Sequence, residues 1–235
     1  MKKVIHKADS RGHVNLGWLN SYHSFSFSSY NNPEKIRFGA LRVLNDDSVA
    51  PGKGFGQHPH ENMEIISIPL SGALKHRDTT GREAVIRSGD VQIMSAGTGL
   101  YHAEMNNSST EEVKFLQIWI YPKEKNIAPR YDQKSFNKAD WKNQWQLVVS
   151  PIANDQTILI NQDAYISLGN IEKGHSLDYQ IKQEGNGVYI FILEGKVSVD
   201  DELLDRRDAI GITAAAQIKI SAADNAEILL LEIPV

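Results

Sequence analysis

The sequence contains no cysteine among its 235 residues, which excludes disulfides, thiolate zinc ribbons, iron–sulfur clusters and thiol nucleophiles. It also lacks a cluster of Lys and Arg: 25 basic against 29 acidic residues leave a net charge of −4, so no direct binding to nucleic acid is expected. No run approaches the roughly 18 apolar residues of a membrane span, and the first residues lack the apolar core of a signal peptide. We therefore expect a cytoplasmic protein without a membrane partner, in which nitrogen and oxygen atoms hold any metal.

Helical periodicity is scarce as well. The chain consists of short apolar or alternating runs separated by Gly, Asn, Asp and Pro, a pattern typical of antiparallel all-β folds. Several runs are apolar throughout, which indicates strands buried on both faces of a barrel or sandwich. The clearest candidate strands are residues 23–27, 38–44, 64–70, 113–121, 146–149, 188–193 and 227–233.

An internal repeat predicts two domains of the same fold. The segment around Gly72, with Asp90 18 positions later, is echoed around Gly195, with Asp208 13 positions later. The hairpin between them is thus five residues longer in the first copy. We expect an N-terminal domain over residues 1–132 and a C-terminal domain over 133–235, with a linker in the polar stretch 131–145.

Two short motifs carry the chemistry. His58-Pro59-His60 and His102-Ala103-Glu104 each place two possible ligands at positions i and i+2 in glycine-rich sequence. Residues i and i+2 of a strand share a face, so two paired strands bearing these motifs would aim four donors at one point. Three imidazoles and a carboxylate suit a transition metal such as Fe, Mn, Co, Ni, Cu or Zn.

Either motif alone is close to what this composition gives by chance, so the context decides. Each follows a glycine-rich turn and lies near a strand-like run. Glu64 has the right parity to be the carboxylate ligand, as does Glu104, and the spacing leaves that choice open. The second copy has no His-x-His before Gly195 and no His after Asp208, which predicts one metal site per chain, in the N-terminal domain.

The chain resembles the pirin family of the cupin superfamily, in particular the short bacterial pirins described as quercetin 2,3-dioxygenases. The first cupin motif is matched by Gly52, His58, His60 and Glu64, with Gly72 one residue late, and the second by Gly89, Gly99, His102 and Asn106, with two extra residues before Gly99. More specific pirin-like segments are residues 17–19, 23–27, 54–60 and 94–104. The resemblance covers essentially the whole chain.

This resemblance implies an all-β bicupin: two antiparallel β-barrel (jelly-roll) domains with few short helices, the C-terminal one degenerate and without metal. It implies one divalent metal per chain, Fe(II), held by His58, His60, His102 and Glu104. Glu64 is then expected to support the ligands by accepting an N–H from a metal-binding histidine. No other cofactor is expected.

The expected function is a metal-dependent dioxygenase that cleaves a flavonol such as quercetin by O₂ insertion, so the partners are a small aromatic substrate and O₂. Metal binding would favour loss of the proton from the substrate hydroxyl, and Glu104 is the candidate to accept it. The alternative is a regulatory pirin that binds another protein according to the state of its iron.

Other conspicuous residues have ordinary structural interpretations. His13, His23 and His76 lack ligand spacing to any other candidate and are expected to be structural. The four tryptophans are expected to serve mainly in packing, because aromatic side chains in β proteins most often do. The glycines at 52–56 and 97–99 are expected to form turns that lead into strands. They are not expected to form a phosphate-binding loop, since no Gly-Lys-Ser/Thr follows them.

Overall fold

The computed structural model describes residues 1–235 and is nearly all β. The only helices are two short 3-10 segments, Ala8–Ser10 and Lys138–Trp141. No helix is long and apolar enough to cross a membrane. In chain order the strands are β1 (Lys2–His6), β2 (Gly12–Asn15), β3 (Leu19–His23), β4 (Leu41–Val49), β5 (Gly54–His60), β6 (Glu64–Ser71), β7 (Ala73–Asp78), β8 (Glu83–Arg87), β9 (Asp90–Ser95), β10 (Leu100–Asn106), β11 (Val113–Ile120), β12 (Arg130–Ser135), β13 (Trp145–Ser150), β14 (Ile158–Leu159), β15 (Tyr165–Ile171), β16 (Ser176–Gln180), β17 (Asn186–Glu194), β18 (Val197–Val199), β19 (Glu202–Leu204), β20 (Ala209–Thr213), β21 (Gln217–Ala222) and β22 (Ala226–Pro234).

Most candidate strands are confirmed, but residues 23–27 are not a strand, because β3 ends at His23 and Phe27 makes only an isolated bridge to Tyr30. The predicted linker is also partly wrong. Its first residues belong to β12, which pairs with β9. The division after residue 132 stays a prediction, although β12 crosses it.

Four sheets reproduce the repeat, except that the outermost strand β14 pairs parallel with β13 whereas β2 pairs antiparallel with β3. The N-terminal large sheet has the order β12-β9-β6-β11-β4-β3-β2, and the C-terminal large sheet β1-β20-β17-β22-β15-β13-β14. The N-terminal small sheet, β5-β10-β7-β8, likewise matches the C-terminal small sheet, β16-β21-β18-β19. Gly72 and Gly195 begin the corresponding hairpins β6–β7 and β17–β18, both with positive φ, which glycine adopts without a Cβ penalty.

The two copies exchange an edge strand. β1 pairs with β20 and so occupies, in the C-terminal large sheet, the place that β12 holds in the N-terminal one. Side chains reinforce the crossing: Lys7 forms an ion pair with Asp208, and the backbone N–H of Ala8 donates to the same carboxylate. The start of the chain is therefore part of the C-terminal sheet.

The large sheets pack against each other through their outer faces. A single cluster of 26 buried residues draws on both copies, with Leu116 and Ile118 of β11 on one side and Phe191 and Leu229 of β17 and β22 on the other. Burial of this much apolar surface is the main source of stability for such an arrangement. The two halves therefore share one core.

The interiors between each large sheet and its small sheet differ in chemistry. The C-terminal interior holds a cluster of 16 buried apolar residues, whereas the N-terminal interior has apolar clusters of only six and three. Buried polar side chains occupy the rest of the N-terminal interior: Asn45, Asp47, Ser67, His76, Asp78, Gln92, His102, Glu104 and Gln117. Buried polar groups are costly unless they are paired, so this interior has a role other than stability.

The closed barrel that the resemblance implied is not seen in the hydrogen bonding. Each of the four sheets is open, with unpaired outer strands. Each copy is instead two facing sheets held together by its interior side chains, because the strands of the small sheet make no ladder with those of the large one.

Candidate metal centre

The two ligand motifs lie on neighbouring strands, as predicted. β5 and β10 pair antiparallel, with His102 opposite His58 and Leu100 opposite His60. A bulge follows His102, so that Glu104 pairs with Phe55. Bulges redirect side chains and are frequent next to functional sites. On its other edge β10 pairs regularly with β7, which keeps His102 and Glu104 on one face.

Three imidazoles converge at one point. The Nε2 atoms of His58 and His102 are 3.0 Å apart. The ring centroid of His60 lies 4.9 Å from that of His58 and 4.8 Å from that of His102. His102 is buried, while His58 and His60 are half-buried, so the group opens to solvent on the β5 side.

The protonation of these rings suits metal binding. His58 Nδ1 lies 2.7 Å from the carbonyl oxygen of Gly56; a carbonyl only accepts, so Nδ1 carries the hydrogen and Nε2 is left with its lone pair. Burial and the neighbouring His102 and His58 rings lower the pKa of His60 to about 3. Burial, with His58 and His76, lowers the pKa of His102 to about 3 as well. Neutral imidazole is the form that binds a metal.

Glu104 lies deeper, on the other side of His102. Its carboxylate accepts hydrogen bonds from Ser67 Oγ at 2.8 Å and from Gln117 Nε2 at 2.7 Å. One donor atom each from His58, His60 and His102 lies within 4.8 Å of the others, and the same holds for His76, His102 and Glu104. His102 thus joins two groups, and the four predicted ligands do not form one group by themselves.

His76 and Asp78 are the site residues that the sequence interpretation missed. They lie on β7 directly opposite Glu104 and His102, and both are buried. His76 Nε2 is 2.8 Å from Asp78 Oδ2. Although burial opposes it, hydrogen bonds from His76 and Thr80 hold the pKa of Asp78 below its ordinary value. The signal was present: His76-Arg77-Asp78 has the same i, i+2 spacing as the two recognised motifs.

The comparisons with known proteins agree with this arrangement. Residues 4–120 match the pirin family model, and residues 147–233 match the model of the quercetinase C-terminal cupin domain. Quercetin 2,3-dioxygenase of Escherichia coli K12 is 41% identical over 230 residues, which cover 98% of each chain. The chain belongs to the pirin family.

Other pirins extend the comparison. The pirin-like protein of Caulobacter vibrioides is 39% identical, covering 95% of this chain and 96% of that protein. The crystal structure of the bacterial pirin YhhW from Escherichia coli, in complex with nickel(II), superposes with a TM-score of 0.94 at 39% identity and covers 99% of each chain. A pirin of this architecture therefore binds a divalent transition metal.

The second pirin copy has hydrocarbon where the first has ligands. In the N-terminal small sheet His102 lies opposite His58, and the corresponding pair in the C-terminal small sheet is Ile218 opposite Tyr179. Likewise Glu104 lies opposite His76, and the corresponding pair is Ile220 opposite Val199. The one polar atom among the C-terminal residues is the Tyr179 hydroxyl, which donates to Glu232. These positions explain the apolar C-terminal interior; the absence of a metal there stays a prediction.

Glu64 makes no hydrogen bond to a predicted ligand. Its buried carboxylate accepts from Ser95 Oγ at 2.8 Å and from the backbone N–H of Asn161 at 3.2 Å, and burial raises its pKa. Its expected place beside the ligands stays a prediction, and the contacts it does make tie the first pirin copy to the second.

Trp119 borders the candidate centre. Its ring meets that of His60 edge to face, with centroids 4.9 Å apart, and Phe27 packs against its other side. The other three tryptophans pack with the apolar clusters. A cavity of about 630 Å³ lies elsewhere, between the two copies, and none of its lining residues belongs to the centre.

Proposed function

We propose that this chain is a metal-dependent dioxygenase that cleaves a flavonol such as quercetin, with one divalent metal held by His58, His60, His102 and Glu104. The observation that carries the proposal is the convergence of three imidazoles. Because Nδ1–H of His58 donates to Gly56, Nε2 of His58 keeps its lone pair and faces Nε2 of His102 at 3.0 Å. A metal ion can accept the lone pairs of both Nε2 atoms when His102 carries its hydrogen on Nδ1.

The donor set fits such a metal. Imidazole and carboxylate ligands bind Fe, Mn, Co, Ni, Cu and Zn, and a solved relative holds nickel(II). We propose Fe(II) for this chain on the family resemblance. When bound, the ion would supply Lewis-acid stabilisation of a deprotonated substrate hydroxyl and would organise O₂.

The surrounding residues define the substrate side. His58 and His60 are half-buried and His102 is buried, so a ligand approaches from the β5 side. Trp119, packed on His60, provides a half-buried aromatic face there. A flat aromatic substrate can lie against such a ring with favourable edge or offset stacking. This aromatic surface supports a flat aromatic substrate such as a flavonol.

We assign to Glu104 the acceptance of the substrate proton. Ser67 and Gln117 donate to its two oxygens and hold the carboxylate in place. The Ser67 hydroxyl can rotate and accept a hydrogen bond from a protonated Glu104, whereas the Gln117 amide group that faces Glu104 only donates.

The test is quercetin turnover, followed by loss of its visible absorbance and by O₂ uptake, with protein stripped of metal and reloaded with Fe(II), Ni(II), Co(II) or Mn(II). We expect turnover by at least one loaded form and its loss in His58→Ala and Glu104→Ala. His13→Ala serves as the control, because His13 is exposed and bonds only to Asn20.

Absence of turnover with every metal, or turnover that survives both site substitutions, would overturn the proposed reaction. Elemental analysis of protein purified without added metal identifies the resident ion. Tight metal binding without turnover would direct attention to the regulatory alternative.

A further inference from the structure

His76 and Asp78 form a pair that the proposed reaction leaves without a role. His76 has no exposed surface and Asp78 is buried. Asp78 Oδ1 accepts from the backbone N–H and the hydroxyl of Thr80 and from the backbone N–H of Arg82, which leaves Oδ2 for His76 at 2.8 Å. The turn after β7 therefore fixes the carboxylate, and the carboxylate fixes the ring.

This contact settles the tautomer of His76. An ionised carboxylate accepts only, so Nε2 carries a hydrogen, and in the neutral ring Nδ1 then keeps a lone pair. That Nδ1 atom is buried and has no hydrogen-bond partner. A buried polar atom without a partner is unfavourable, so this acceptor is expected to receive a hydrogen bond from a nearby donor.

The complementary donor is on His102. Its Nε2 faces His58, and its Nδ1 is also buried without a partner. The ring centroids of His76 and His102 are 5.4 Å apart, and one donor atom of each lies within 4.8 Å of the other. When Nε2 binds a metal, Nδ1 of the same ring must carry the hydrogen. His102 then offers an Nδ1–H donor, and His76 offers its Nδ1 lone pair as the acceptor.

We propose that Asp78 and His76 position the metal-binding His102, with His76 Nδ1 accepting the Nδ1–H of His102 directly or through one bridging water. This inference rests on the proposed metal centre. Histidine ligands generally donate their second N–H to a carboxylate, carbonyl or water, and loss of that acceptor weakens metal binding about 10- to 100-fold. Here the acceptor is a neutral histidine, His76, which is oriented by the Asp78 carboxylate. Neither Glu64 nor Glu104 does so, since neither makes a hydrogen bond to His102.

Neighbouring groups favour this role over direct coordination by His76. The ring of Tyr131 packs against His76 with centroids 4.9 Å apart, and the Arg82 guanidinium lies over the Tyr131 ring, 4.9 Å from its centroid. His76 is thus held between Tyr131 and β10. Its Nε2 is already committed to Asp78.

The experiment measures the dissociation constants of Co(II) and Zn(II) by chelator competition in wild type, His76→Leu and His76→Asn. Leu fills the site without an acceptor, whereas Asn places an oxygen near the position of Nδ1. We expect binding to weaken about 10- to 100-fold in His76→Leu and to recover in part in His76→Asn. The control is His23→Leu, because His23 is an equally buried histidine that makes no contact with the centre.

Histidine-selective ¹⁵N NMR of the Zn(II)-loaded protein supplies the second readout. We expect His76 to carry its hydrogen on Nε2 and to bind no zinc, and His102 to carry its hydrogen on Nδ1. Far-UV circular dichroism of the metal-free variants shows whether each remains folded. If His76→Leu does not fold, the tautomers in the wild type decide the matter.

The outcomes separate cleanly. Wild type that binds no metal would overturn the proposed centre and this inference with it. Wild type that binds metal, with His76→Leu equally tight, would overturn the inference alone. The inference would also be overturned if zinc bound to His76 or if His76 carried its hydrogen on Nδ1. An equal loss of metal affinity in His23→Leu would overturn it as well.

Discussion

Asp47 is a buried acid whose ionisation should govern the stability of the metal-free protein. It lies on β4, is 4% exposed, and faces the polar N-terminal interior, where the Ser21 hydroxyl donates to it. Burial, helped by the nearby Asp46 and Glu104 carboxylates, raises the pKa of Asp47 to about 7. The folded protein therefore holds a proton that the unfolded chain releases at lower pH.

The sign and size of the effect follow from linkage. Well below pH 3.8 the carboxyl is protonated in both states, so its ionisation does not affect stability. As the pH rises from 3.8 to about 7, the unfolded chain binds fewer protons than the folded one, so the free energy of unfolding falls. The total loss is ~4 kcal/mol at 1.36 kcal/mol for each pKa unit, a large share of the roughly 5–15 kcal/mol that stabilises a typical domain.

The perturbation is Asp47→Asn, which is neutral at every pH and keeps an oxygen for the Ser21 hydroxyl. Urea unfolding, followed by tryptophan fluorescence in the presence of a chelator, should give equal stabilities at about pH 3. The variant should become more stable by up to ~4 kcal/mol near pH 8. Asp46→Asn is the control: Asp46 pairs with Arg11 at 3.2 Å and Arg207 at 3.1 Å, so its loss should destabilise the protein. A difference between Asp47→Asn and wild type that does not change with pH would refute the reasoning.

Three further predictions concern the shared core and the metal. Phe191→Ala, which truncates a buried ring between the large sheets, should cost ~3–5 kcal/mol in urea unfolding with one transition; two separated transitions would contradict a common core. Tyr189→Phe removes the 2.9 Å hydrogen bond to His6 Nδ1 and should cost ~1–2 kcal/mol, so an unchanged Tm would show that the contact is not formed. Ni(II) at about 100 times its Kd should raise the free energy of unfolding by ~2.7 kcal/mol in wild type, and a similar rise in His58→Ala would place the ion elsewhere.

Much of the site could be predicted because its two motifs lie on adjacent strands. In a strand the side chains alternate between faces, so His58 with His60, and His102 with Glu104, share a face whatever the rest of the fold. The repeat around Gly72 and Gly195 likewise survives in the sequence, since each glycine adopts a positive φ in its hairpin.

The remainder depends on pairings that sequence periodicity does not encode. His76 and Asp78 have the i, i+2 spacing of the recognised motifs, but only the pairing of β7 with β10 brings them to the centre. Ser67 and Gln117 are ordinary polar residues within apolar runs, and only the packing of two sheets shows that both donate to Glu104. Strand neighbours in a sheet are set by tertiary contacts.

The exchanged strand β1 has a consequence for the order in which the protein is made. β1 leaves the ribosome first, yet its partner β20 is among the last strands to emerge, and Lys7 and Asp208, which fasten the crossing, are 201 positions apart. The N-terminal copy can complete its large sheet once β12 is synthesised. At that stage β1 still lacks its partner strand, β20. Pairings between such distant segments form slowly, and an exposed edge strand is prone to wrong partners. The β1–β20 pairing therefore cannot form until residues 209–213 have been synthesised, and β1 has no sheet partner until then.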